Sequence, residues 1–249
     1  MPPAPLAPVD RSRWEKAQAY EADWWRQHGS AFRPDYLHTL ADEVTAALAP
    51  VVAFGPGVRV LEIGAGPVGI VAYLDAAEAV ATDPLDATFA TEPAYASIRT
   101  EAEGRGVTYV AAQGEALPFG DATFDAVLTD NVLDHVEAPG RILREMHRVL
   151  RPGGGAYVRV HVYHRWGRAV RWSMERLEID RGHPHTLSAA ALRRAATEAG
   201  FAVSRAERSS FFARWRADAA SGVRGNRKAL AQAALGVTRA DYTLVLRKP

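Results

Sequence analysis

The 249-residue chain contains no cysteine. That excludes disulfides, thiolate zinc sites and a cysteine nucleophile, and it fits a reducing compartment. No apolar run is long enough to span a membrane. The first residues, Met1-Pro2-Pro3-Ala4-Pro5, lack the basic and apolar regions of a signal peptide. The expected location is therefore cytoplasmic, with no membrane partner. Internal repeats are absent.

Each half of the chain is short of one sign of charge. Residues 1–140 carry 21 acidic and only 8 basic side chains, whereas residues 141–249 carry 8 acidic and 22 basic ones. Either the halves pack together and cross-pair, or an acidic cofactor half faces a basic substrate half.

What the chain does have is centred on Val60-Leu61-Glu62-Ile63-Gly64-Ala65-Gly66-Pro67-Val68-Gly69. Val58 to Leu61 reads as a buried strand. Gly64, Gly66 and Gly69 then form a G-x-G-x-x-G turn, and helical character is expected from Ile70 to Leu74. Strand, glycine turn and helix make a nucleotide-binding βα unit, with free N–H groups at the helix start. The same pattern can hold a dinucleotide or be no more than a tight turn. Ala79 to Pro84 is a second short strand ending in an acid. Asp83, 19 residues beyond Gly64, suits a ribose diol, although an aspartate before Pro84 also suits a turn.

Before this unit, Pro/Ala-rich residues 1–9 are expected to be disordered. Asp10 caps a helix from Arg11 to His28, ended by Gly29. Trp14, Gln18, Glu21, Trp25 and His28 share one face of it, which either packs on the main domain or covers a site. A second helix is expected from Asp35 to Val51. After Asp83, residues 85–106 read as helical, Val107 to Ala112 as a strand, and Val127 to Thr129 as another. Asp130-Asn131-Val132-Leu133-Asp134-His135-Val136 leaves the end of that strand, where open α/β sheets bind ligands. His135 titrates in the range of a general base, or is structural. Pro139 starts a helix to Leu150. Gly153-Gly154-Gly155 turns into a strand over 156–162. His161, Tyr163, His164 and Trp166 follow at the ligand-bearing edge, and a helical insertion is expected over 166–180. Ser188 caps a helix ending at Gly200. Strands are expected at 201–208 and 241–246, the last antiparallel, with a basic stretch, 214–228, between them.

Gln113-Gly114-Glu115-Ala116-Leu117-Pro118-Phe119, Phe124-Asp125 and Arg148-Val149-Leu150-Arg151-Pro152-Gly153-Gly154, taken with Leu61 to Gly66 and Asp83, resemble the class I S-adenosylmethionine-dependent methyltransferases. The small-molecule group that includes the ubiquinone/menaquinone-type enzymes is the nearest match. The resemblance covers residues 58–162. It implies a Rossmann-like methyltransferase fold: α/β, doubly wound, a mostly parallel seven-stranded sheet with an N-terminal helical lid. Residues 1–56 would be the lid and 57–249 the S-adenosylmethionine-binding domain, with a substrate-facing insertion at about 163–187.

The resemblance also implies roles. Gly64, Ala65 and Gly66 would pass under the methionine part of the cofactor, Glu62 would fix its amino end, and Asp83 its ribose. Gln113 and Gly114 would contact the adenine, Gln113 standing where the family usually has aspartate. Gly69, Pro84, Glu115, Asp130 and Asn131 complete the expected cofactor set. His135, His161 and His164 are the candidate catalytic bases. Trp25, Tyr163, Arg165, His183 and His185 are the candidate substrate contacts. No metal is expected. The implied activity is methyl transfer from S-adenosylmethionine to an O or N atom of a small-molecule acceptor. The arginines at 159, 165, 168, 171, 176, 181, 214 and 216 suggest an anionic acceptor. A nicotinamide-dependent oxidoreductase and a non-catalytic cofactor-binding subunit are the alternatives. Nucleic acid is not an expected partner, and a homodimer is left open.

Overall fold

A computed structural model describes residues 6–28, 34–176 and 182–249. The extreme N-terminal residues, the Gly29 stop, Arg181 and the end of the insertion lie outside the described residues. The strands are β1 (Gly55–Ile63), β2 (Ala76–Asp83), β3 (Val107–Ala111), β4 (Phe124–Asp130), β5 (Leu150–Val162), β6 (Ala202–Arg208) and β7 (Ala240–Arg247). They form one seven-stranded sheet in the order β3-β2-β1-β4-β5-β7-β6. The pairings from β3 to β5 are parallel, and β7 runs antiparallel to both β5 and β6. Strand order reverses between β1 and β4, which opens a crevice at their C-terminal ends.

Alternation along the strands divides the core between two faces. Leu61, Ile63, Val127, Val158 and Val160 pack with helices α5 (Pro139–Val149) and α7 (Ala189–Glu198). Val60, Ala126, Leu128, Tyr157 and Val245 pack with α2 (Pro34–Leu48). Ile142, Leu143, Met146 and Val149 give α5 its buried stripe. Its first-turn Pro139 needs no N–H partner, while Glu115 Oε1 accepts from the N–H groups of Glu137 and Ala138 at 3.0 and 3.1 Å.

The segment of greatest family resemblance has a structural explanation. Arg148 donates to the carbonyls of Leu117 and Phe119 at 3.2 and 2.8 Å, and also pairs with Glu145 and Asp121. Arg151 pairs with Asp125 at 2.7 Å. These arginines tie the loop before β4 to the end of α5.

Several expectations are corrected. The helix after the glycine turn is a single 3-10 turn, Ile70–Tyr73. The chain re-enters the sheet at Ala76, which leaves no length for more, so this helix N-terminus provides no anion site. Residues 85–106 break into α3 (Asp86–Thr91) and α4 (Pro93–Gly104), because Pro93 starts a new helix. The glycines at 153–155 lie inside β5 rather than before it. A Cβ on Gly154 would meet the Asp125 carbonyl at 2.8 Å, and one on Gly155 would meet Leu48 and Val52 at 3.0 Å. The basic stretch is a helical hairpin, α8 (Phe211–Val223) and α9 (Arg227–Leu235), capped by Ser210 and Asn226 and ended by left-handed Gly236.

The two N-terminal helices also differ from one another. α2 buries Leu40, Ala41, Val44 and Leu48 against the sheet, so it is part of the core. α1 (Arg11–His28) lies across the crevice together with the first residues of α2.

Candidate active site

A cavity of about 830 Å³ occupies the crevice. The ends of β1, β2, β4 and β5 form its floor, and α1 with the start of α2 forms its roof. Its two ends differ in charge.

The β1–β2 end is acidic. Gly64 and Gly66 take φ of 71° and 61°, which lets the turn fold back on β2. The N–H groups of Gly64 and Ala65 both donate to the Thr82 carbonyl, at 2.7 and 3.0 Å. Asp83 accepts from Gly66 N at 2.9 Å and from Leu85 N at 2.8 Å. Burial nevertheless raises the Asp83 pKa to about 6. Glu62, accepting from Val71 N at 2.9 Å, is 2% exposed, and burial raises it to about 8. Asn131, with φ 55°, presents a buried Oδ1 that has no hydrogen-bond partner. Trp25 closes this end, its ring 3.6 Å from where a Gly66 Cβ would stand. Its indole N–H donates to Glu21 at 3.1 Å, and its ring meets Phe89 and Tyr95 edge-on.

The candidate cofactor residues Glu62, Gly64, Ala65, Gly66, Asp83, Pro84, Gln113, Gly114, Glu115, Asp130 and Asn131 all line the cavity. Some do so with another duty. Glu115 holds the start of α5, and Asp130 is bound by Arg159 through both oxygens, at 2.6 and 3.0 Å. Gly114 is small because a Cβ would meet Ile63 and Ile142 at 2.6 and 2.9 Å. Gly69 is not in the lining; its Cβ would strike Glu62 Oε2 at 2.8 Å.

His135 joins roof to floor. Its Nδ1 lies 3.1 Å from Glu21 Oε2 on α1, and its Nε2 3.8 Å from Asp134 Oδ1. Burial alone would lower its pKa, but Asp134 and Glu21 outweigh burial and lift it to about 9. His135 thereby links α1 to the loop after β4. Gln18 adds a second tie, donating to the His135 carbonyl at 3.3 Å.

The β5–β7 end is basic. His161 and Asp241 are register partners, and Nδ1 lies 2.8 Å from Oδ1. The His161 interaction lowers the Asp241 pKa. Arg159, Arg214 and Arg239 line the same end.

Other candidates stand elsewhere. His164 is outside the lining, its ring edge-on to Phe211 at 4.3 Å. Tyr163 lies under the Arg171 guanidinium at 4.7 Å, and Arg165 is exposed. His185 is buried, with Nε2 2.9 Å from the Val136 carbonyl. His183 stacks near His135 at 4.5 Å without lining the cavity. Asp134, His135 and His183 do bring three ligand atoms within 4.8 Å of one another. Asp134 and His135 are adjacent, but His183 lies 48 positions beyond His135, so no local spacing marks the group.

Asp241, Arg239, Glu21 and Tyr36 also line the cavity. Alternation in β7 against β5 was the available signal for Asp241. Tyr36 Oη accepts from Arg159 Nη2 at 2.9 Å, and no local pattern announces it.

Residues 61–158 match the protein family described as a methyltransferase domain. Over that stretch the chain is similar to a methyltransferase domain. A ubiquinone biosynthesis O-methyltransferase from Roseobacter denitrificans is 33% identical over 161 residues, covering 61% of this chain and 63% of that protein. An uncharacterized methyltransferase from a Mycobacterium species is 38% identical over 136 residues, covering 51% of this chain and 50% of its own. The chain thus spans less than two thirds of these relatives. Among solved structures, a geranyl diphosphate methyltransferase in complex with SAM superposes with a TM-score of 0.63 at 16% identity, covering 85% of each chain. The cyclase SpnF superposes with a TM-score of 0.59 at 24% identity, covering 85% of this chain and 81% of its own. Both likenesses concern the fold alone. Among the described residues no helix is long and apolar enough to cross a membrane.

Proposed function

We propose that the chain transfers a methyl group from S-adenosylmethionine to an O or N atom of a small-molecule acceptor, and that the His161–Asp241 pair favours a hydroxyl. The observation that carries this reading is the polarity of one cavity: a buried acidic end beside a glycine turn, and a histidine–aspartate pair at the other end.

The acidic end fits the cofactor chemically. S-adenosylmethionine carries a sulfonium and an ammonium against one carboxylate. The unpartnered Asn131 Oδ1 and the carboxyl of Glu62 are acceptors suited to an ammonium. Asp83 keeps lone pairs beyond its two backbone bonds and suits a ribose diol. Gly66 keeps the turn bare of a side chain beneath the Trp25 ring. When bound, the cofactor supplies an already activated methyl group, so the protein's share is alignment, desolvation and proton removal.

His161 receives the acceptor proton at Nε2, while Asp241 holds Nδ1 and stabilises the imidazolium that forms. α1 excludes water through Trp14 and Trp25. The test is calorimetry with S-adenosylhomocysteine and NAD, followed by transfer of labelled methyl to acceptor pools. Tight S-adenosylhomocysteine binding with no NAD binding is the expected result; the reverse would establish the oxidoreductase reading instead. Binding without turnover on any hydroxyl or amine acceptor would indicate the non-catalytic subunit.

A further inference from the structure

We propose that Arg239 and Arg214 form an anion subsite in the acceptor end of the cavity, so that the acceptor carries a carboxylate or phosphate. The proposal rests on the methyltransferase reading for what the anion is attached to.

The arginines of the basic half divide by what they touch. Arg159 is spent: it binds Asp130 through two bonds and also reaches Tyr36 and Glu43. Arg171 covers Tyr163, Arg216 lies over Phe212, and Arg165 is exposed; none of the three lines the cavity. Arg214 and Arg239 do line it. Arg239 immediately precedes β7, and both it and Asp241 line the cavity. It is half-buried, and among the described residues it has no hydrogen bond or ion pair. Arg214, in the first turn of α8, has one long contact, 3.4 Å to Asp218 Oδ1.

A guanidinium presents five donors in a planar fork that matches two oxygens of a carboxylate or phosphate. Arg239 lines the same cavity as the proposed base, and among the described residues nothing answers its fork. Desolvating it costs free energy that an incoming anion would return. The β1–β2 end is less suited to that anion, because the Asp83 carboxyl lines it and Asp130 already occupies Arg159. An acceptor anchored at Arg239 and Arg214 would place its reactive atom between His161 and the cofactor end.

The experiment titrates the full chain, saturated with S-adenosylhomocysteine, with benzoate, phenyl phosphate and neutral benzamide. Wild type should bind one of the anions about tenfold or more tighter than benzamide, the effect of a charge-assisted hydrogen bond. The better of the two anions distinguishes carboxylate from phosphate recognition. Arg239→Met and Arg214→Met should each reduce the preference, and Arg239→Lys should restore part of it while testing that position without loss of charge. Equal binding of anions and benzamide, no saturable binding of any of them, or a preference intact in both Met variants would overturn the subsite. So would a loss of S-adenosylhomocysteine affinity in Arg239→Met with the benzoate preference unchanged, since Arg239 would then serve the cofactor's own carboxylate. Failure of wild type to bind S-adenosylhomocysteine at all is separate: it removes the methyltransferase reading, whereas the anion preference is read from the fragments.

Discussion

His161 and Asp241 face each other across the antiparallel β5–β7 ladder, their facing atoms 2.8 Å apart, although 80 positions separate them in the chain. The pairing orients one histidine among several and places it on the cavity wall. Asp241→Asn should leave the fold and S-adenosylhomocysteine affinity intact and lower kcat by about 10²–10⁴, the usual worth of a general base. Single-turnover rates at saturating acceptor measure this. An unchanged rate would mean that the acceptor needs no base.

The glycines should separate by experiment into two kinds. A side chain on Gly66 points into the cavity, so Gly66→Val should abolish S-adenosylhomocysteine binding in a protein that still folds, at a strain cost of about 1–2 kcal/mol for its left-handed backbone. Gly114→Ala meets Ile63 and Ile142 instead, and should lose about 1–3 kcal/mol by overpacking. Thermal melts with and without ligand distinguish them. A Gly66→Val protein of normal affinity would place the cofactor elsewhere.

Glu62 makes stability depend on pH in a stated direction. Its folded pKa, about 8, is raised above the ordinary carboxylate value of 4.5. The folded state therefore binds the proton more tightly, and the stabilisation is full below about 4.5 and lost as pH rises through about 8. Melting temperatures across that window should fall less in Glu62→Gln than in wild type. Parallel curves for the two proteins would show that Glu62 is already ionised when folded.

His135 adds loss of the same sign in a different place. Its pKa is raised from 6.5 to about 9, so the latch to Glu21 is fully stabilising below about 6.5 and weakens as pH rises through about 9. Trp25, which shares Glu21, should report it: its fluorescence should change through that range in wild type and not in His135→Ala. A pH-independent Trp25 signal in wild type would remove the latch.

Deleting residues 1–28 tests the cover as a whole. Trp14 and Ala17 are the residues α1 buries most deeply, so folding should survive the deletion better than turnover does. Full activity in the truncated chain would make α1 a packing element only.

Much of this architecture is legible along the chain because its signals are local. Alternation at Val60-Leu61 and Val127-Leu128 marks strands buried on both faces, and Pro139 and Ser188 mark helix starts. The helices of the basic stretch carried Ser210, Asn226 and Gly236 as stop and start signals, but their charge concealed them. The single 3-10 turn after Gly69 could not be read, since it is set by how soon the chain must rejoin the sheet at Ala76.

The sequence by itself determined the two strands on either side of the glycine turn, the acidic and basic halves, and many residues of the cavity's β1–β2 end, because these follow one another closely and their spacing is their geometry. Only the tertiary structure decided which groups each histidine and arginine meets. A proton affinity or a free guanidinium depends on neighbours brought in from distant segments: Glu21 and Asp134 charge His135, Asp241 orients His161, Asp130 occupies Arg159, and no described residue answers Arg239.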